Sequence, residues 1–136
     1  MALKITLKPG ERMIIGGAVV TNGNAASCDI VIENKTPILR QKDILTEENA
    51  DSPCRRIYYA IQLMYIDEDN LPKYHKVYWG LVKEVVQAAP SMVVLIDSIN
   101  EHIIHRRYYQ ALKLTKRLID YEQEAIKRVS GSAKSV

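Results

Sequence analysis

"LKITLKPGERMIIGGAVVT" (Leu3–Thr21) decides the fold class, because it reads as three short strands and the two turns that join them. Leu3, Ile5 and Leu7 alternate with Lys4, Thr6 and Lys8, the period-2 pattern of a strand with one buried face. Lys8-Pro9-Gly10-Glu11 then supplies a turn: proline presets φ at its second position, and glycine accepts positive φ at its third. Arg12–Ile15 predicts a second strand, Gly16-Gly17 a tight connection and Ala18–Thr21 a third strand. Working outward, "NGNAAS" turns the chain and "DIVIE" (Asp29–Glu33) is a fourth strand, with Ile30 and Ile32 on one face. "NKTP" turns it again, and "ILR" (Ile38–Arg40) gives a fifth. Strands this short predict a small antiparallel meander or barrel over residues 1–48. A unit of that size holds little core, so it must pack on helices or on a second copy of itself.

Past the hinge "QKDILTEENADSP", where Thr46–Glu48 is a candidate short helix, the apolar period changes from two to 3.6. Pro53 opens a helix whose stripe is Ile57, Ala60, Ile61, Met64 and Tyr65. Asp69 or Asn70 caps a second near Pro72, carrying Tyr74, Val77, Tyr78, Leu81, Val82, Val85 and Val86 to about Ala89. Pro90 breaks it. A last helix is predicted from Ser91 or Ser98 to Arg128, with Ile104, Tyr108, Ala111, Leu112, Thr115, Leu118, Ile119, Glu122, Ala125 and Ile126 on one side. The expectation is therefore an α+β protein: a small N-terminal antiparallel β-meander or barrel (1–48), a C-terminal helical bundle of three to four helices (49–130) and a flexible tail (131–136).

Composition excludes several function classes. No apolar run reaches the roughly 18 residues that span a bilayer, and Lys4 and Lys8 interrupt the only candidate leader, so a cytoplasmic protein without a membrane partner is expected. Cys28 and Cys54 are expected to be free thiols. His102 and His105 stand three apart on a helix with no third metal ligand nearby, "DEDN" lacks the glycine and distant glutamate of a calcium loop, and "IGGAVV" is a turn rather than a dinucleotide fingerprint. No nucleophile elbow or oxyanion signature appears. The expectation is no enzyme, no cofactor and no metal.

Net charge is +3, from 19 Lys+Arg against 16 Asp+Glu, too mild to identify a polyanion partner by itself. Its distribution says more. Lys4, Lys8 and Arg12 cluster on the first hairpin, and Arg40 and Lys42 at the end of the fifth strand. These five are the candidate RNA-binding residues; their bland alternative is a strand edge kept from aggregating by lysine. A second set, a candidate RNA or partner surface, consists of Arg55, Arg56 and Tyr58, then Arg106, Tyr109, Lys113 and Arg117. Guanidinium beside tyrosine suits single-stranded RNA, with charge for phosphate and a ring for a splayed base. The alternative there is a salt-bridged helix flank with one aromatic in the core. The aromatic inventory, eight Tyr and one Trp with no Phe, fits wet interfaces as well as base stacking.

Four separated motifs carry a family resemblance: "LKITLKPGERMIIGGAVVTNG", "ENKTPILRQKDIL", "RRIYYAIQLMYID" and "YYQALKLTKRLIDYE". In order and spacing, from Leu3 to Glu124, the chain resembles the flagellum biosynthesis repressor FlbT family. That resemblance implies a post-transcriptional regulator that associates with the 5′ untranslated region of flagellin mRNA, lowers its translation and promotes its decay. It also implies a functional partnership with a FlaF-like flagellar regulator; in some relatives the effect on flagellin is positive. The β-module alone is similar to the carbon storage regulator CsrA, a strand-exchanged homodimer that binds single-stranded RNA loops. On that similarity Arg40 matches the late arginine and Lys8 the basic position before the turn. Leu7 stands where a first-strand arginine belongs, and Leu39 where a histidine does. A homodimer is implied. The competing class is a protein-binding adaptor that acts on flagellin or a FlaF-like partner without touching RNA.

Overall fold

The computed structural model describes residues 2–134. The described residues form two compact units, one from residues 2–44 with 66–68 and the other from 45–65 with 69–134.

The first unit contains β1 (Leu3–Leu7), β2 (Arg12–Ile15), β3 (Ala18–Thr21), β4 (Cys28–Ile32) and β5 (Ile38–Arg40). All pairs are antiparallel, but only β2 and β3 form a sequential hairpin. β1 pairs with β4, and β2 is flanked by β3 and β5, giving a two-stranded and a three-stranded sheet. The meander's expected order thus gives way to long-range pairing. Register explains it: Leu3↔Ile32, Ile5↔Ile30 and Leu7↔Cys28 put the apolar faces of β1 and β4 on one side. Ile5, Leu7, Met13 and Ile32 form the core, with Ile15, Cys28, Ile30 and Ile38 packed against it. Each such side chain contributes about 1.5–3 kcal/mol when fully buried, so this core is thin and needs polar help.

That help comes from turns. The Glu11 amide donates to the Lys8 carbonyl at 3.0 Å and Gly10 has φ +74°, the proline–glycine turn expected from sequence. Gly16, at φ +61° in the β2–β3 connection, donates its amide to the Pro37 carbonyl at 2.8 Å. Asn22 is buried: its Nδ2 donates to the carbonyls of Leu7 and Ala26, both at 3.0 Å, and its Oδ1 accepts from the Asn24 amide at 2.9 Å. One side chain thereby ties the end of β1 to the 22–28 loop.

The second unit is helical: α1 (Pro53–Ile66), α2 (Leu71–Ala88), α3 (Val93–Ile104) and α4 (Tyr108–Lys134). Short 3₁₀ turns at Gln41–Asp43, Glu68–Asn70 and Pro90–Met92 join the elements, and the candidate short helix at Thr46–Glu48 is instead part of a turn over 46–49, closed by the Asn49 amide on the Thr46 carbonyl at 3.1 Å. α1 buries Ile57, Tyr58, Ala60, Ile61 and Met64, α2 buries Tyr78, Val82 and Val85, and α3 buries Ile96, Ile99 and Ile103. α4 closes the core with Tyr108, Ala111, Leu112, Thr115 and Leu118. Tyr78 donates its hydroxyl to Asn100 Oδ1, which satisfies a fully buried phenol. The N-terminus of α1 is capped from α4. The buried Glu122 carboxylate accepts from the Ser52 hydroxyl at 2.5 Å and from the Cys54 amide at 3.1 Å, while Ser52 Oγ accepts from the Arg55 amide at 3.2 Å.

The predicted single last helix is in fact two. The Arg107 amide donates to the His102 carbonyl at 2.8 Å and the Arg106 amide to Ile103 at 3.1 Å, the paired bonds of a Schellman ending, with Arg106 at φ +57°. Glycine normally occupies that left-handed position, so an arginine there hid the break. Ile104 consequently falls on α3 and is exposed, as are Ala125, Ile126 and, on α2, Val77. The expected tail, residues 131–136, includes the last turn of α4 at 131–134, and residues 135 and 136 lie outside the described residues.

Candidate nucleic-acid interface

The register of β1 with β4 places Lys4 opposite Val31 and Thr6 opposite Asp29. These residues share the face that β1 turns away from its core, because Ile5 and Leu7 take the other. Asp29 organises that face. It accepts from the Thr6 hydroxyl at 2.6 Å and pairs with Lys4 Nζ at 3.4 Å. The Thr6 hydrogen bond, then the Lys4 charge, hold its carboxyl below the usual carboxylate range. Lys4 is therefore partly neutralised within its own sheet.

Arg40 stands differently. One guanidinium nitrogen, Nη2, donates to the Thr6 carbonyl at 3.1 Å, and the side chain remains exposed. That bond fixes the fork while leaving other donors of a five-donor group for an anion. Lys8, Arg12 and Lys42 are exposed as well. The Arg12 amide is held by Gln41 Oε1 at 2.7 Å, which draws the segment carrying Lys42 onto the start of β2. The Lys8 amide is held by Glu11 Oε1 at 2.9 Å, so one carboxylate sits inside the turn. Lys8, Arg12, Arg40 and Lys42 thus ride on one small unit. Thr6, Asp29 and Gln41, which set their environment, escaped sequence analysis because their roles depend on a pairing between strands 23 to 34 residues apart.

The second predicted set separates. Tyr58 is a correction: at 4% exposure it belongs to the core of the helical unit, because the buried stripe of α1 runs through it between Ile57 and Ile61. Arg55 is half-buried and bonds Asp51 at 2.7 Å, while Arg56 is exposed. Arg106 is exposed at the α3–α4 corner. Lys113 Nζ lies 4.9 Å from the Tyr109 ring centroid, and Tyr65 lies 6.0 Å from the same ring, so Tyr109 is already flanked within the unit. Arg117 is exposed. Around the same corner His105 bonds Glu101 at 2.9 Å and Arg107 Nε donates to His102 Nδ1 at 2.9 Å. The two histidines are thus held by separate partners. Among the described residues no three His, Cys, Asp or Glu side chains group as a metal site would need, and no helix is long and apolar enough to cross a membrane.

The family model for "Flagellar protein FlbT" matches residues 3–126. The chain is 43% identical over 124 residues to "Probable flagellum biosynthesis repressor protein FlbT 1" of Bradyrhizobium diazoefficiens, covering 91% of this chain and 84% of that protein. It is 41% identical over 128 residues to "Probable flagellum biosynthesis repressor protein FlbT" of Rhodopseudomonas palustris, covering 94% of this chain and 100% of that protein. It is 39% identical over 132 residues to "Flagellum biosynthesis repressor protein FlbT" of Caulobacter vibrioides, covering 96% and 93%. No solved structure matches.

Proposed function

The chain belongs to the flagellar protein FlbT family, and from that premise we propose that it regulates flagellum biosynthesis by binding the 5′ untranslated region of flagellin mRNA, reducing its translation and promoting its degradation. The observation that carries this reading is Arg40, exposed yet anchored on the Thr6 carbonyl, with Lys8, Arg12 and Lys42 exposed on the same unit. A cationic group already fixed by one hydrogen bond loses less side-chain freedom on meeting a phosphate. Neutralising a phosphate releases condensed counterions, at roughly 0.7 log units of affinity per tenfold salt for each contact on a single strand. Sequence choice comes from unpaired bases of a leader loop meeting strand-edge backbone groups. Decay needs no nuclease in this chain: a protein seated on the leader excludes ribosomes and leaves the message open to cellular ribonucleases. On this reading the protein acts in the cytoplasm as a homodimer, without catalysis, beside a FlaF-like partner.

A second reading, a protein-binding adaptor, draws on Tyr109 and Tyr121, which are 38% and 48% exposed in the helical unit. A gel shift with flagellin leader RNA separates the two. Lys8→Ala with Arg40→Ala, on a fold shown intact by circular dichroism, is expected to weaken the shift at least tenfold. Unchanged binding removes the β-unit from the site. Ribonuclease-resistant capture of a FlaF-like protein with no RNA shift favours the adaptor.

A further inference from the structure

α2 carries three lysines, Lys73, Lys76 and Lys83, against one acid, Glu84. Its buried side is Tyr78, Val82 and Val85. Lys76 and Lys83 lie three residues before and four after Trp79, so all three share one surface row. Both lysines are exposed, and the indole is 41% exposed although Tyr78 packs edge-on against it with centroids 5.0 Å apart. Gly80 falls between the same lysines, and a Cβ built there meets nothing within 4 Å. Packing therefore does not require glycine at this mid-helix position, yet its absence of side chain keeps the row low beside the ring.

A half-exposed tryptophan between ammonium groups suits a partner that is both flat and anionic. Tryptophan is enriched at protein interfaces too, but two lysines flanking it without an acid in the same row add a demand for negative charge. Single-stranded nucleic acid is a good match, since each nucleotide brings a π-face and a phosphate. We propose that Lys76, Trp79 and Lys83 form a second contact surface for single-stranded RNA, the indole stacking on a base while the two ammonium groups hold flanking phosphates. The two lysines stand about 10 Å apart along the helix axis, with the ring between them. This surface rests on the RNA-binding reading above, and extends it from the β-unit to the helical unit.

Trp79 is the only tryptophan in the chain, so its emission reports this surface alone. Full-length protein is titrated with flagellin leader RNA, reading tryptophan fluorescence and gel shift together. Trp79→Leu and Lys76→Glu/Lys83→Glu are compared with a charge-matched control, Lys127→Glu/Arg128→Glu, at exposed positions of α4. Circular dichroism confirms folding, and the lysine pair keeps the test alive should Trp79→Leu misfold. The expected result is quenched emission, about fivefold or greater loss of affinity in Trp79→Leu and a salt slope shallower by about 1.4 in the lysine pair. RNA bound at wild-type affinity by both variants, or a control loss equal to that of the lysine pair, overturns the α2 surface and leaves the β-unit site standing. No shift by any protein overturns both.

Discussion

At the scale of single residues, two side chains decide local structure against ordinary expectation. Arg106 ends α3 in a left-handed conformation that costs an L-residue roughly 1–2 kcal/mol, and its side chain is exposed. Arg106→Gly is expected to stabilise the protein by about 1 kcal/mol, read as a higher urea midpoint with an unchanged slope. Asn22 does the reverse, making three hydrogen bonds from a buried position. Asn22→Ala strands the Leu7 and Ala26 carbonyls and should cost about 2–3 kcal/mol in the same measurement. Asp29 bears on the proposed RNA site instead. Because its carboxylate partly neutralises Lys4, Asp29→Asn is expected to tighten leader-RNA binding and steepen its salt dependence by about 0.7, one further phosphate contact.

At the scale of elements, α1 depends on α4 for its first turn. Glu122→Ala removes the acceptor for both the Ser52 hydroxyl and the Cys54 amide, and a loss of about 3 kcal/mol is expected on urea unfolding. Ser52→Ala acts on the same network, so the double variant should lose less than the sum of the two. Burial, with the Glu122 charge adding to it, pushes the Cys54 thiol well above its ordinary value. Iodoacetamide should therefore modify the half-buried Cys28 in native protein long before Cys54, which reacts only on unfolding; equal rates would show that this helix start is open. The helix periodicities of α1 and α2 were legible in sequence because a 3.6-residue stripe is a local pattern. The α3–α4 break was not, since its signal is a backbone φ that arginine does not advertise.

At the scale of the whole molecule, the chain forms two units, of which the first carries the exposed, anchored Arg40 and the second the Trp79 row; the proposed function gives both to RNA. If Lys8, Arg12, Arg40 and Lys42 each meet one phosphate, they contribute about 3 log units of affinity loss per tenfold rise in salt, and Lys76 with Lys83 about 1.4 more. A slope near zero in a salt titration would remove the electrostatic site. Sequence by itself determined the α+β class, the places of the five strands and two turns, the first two helices and the family, because turn chemistry and hydrophobic period act over a few residues. Only the tertiary structure decided that β1 takes β4 rather than β2 as its neighbour, that Tyr58 is core, that Lys4 lies 3.4 Å from Asp29, and that Arg40 is held by Thr6. Each of these joins residues far apart in the chain, where the choice is made by which apolar faces can be buried together, and no local pattern encodes it.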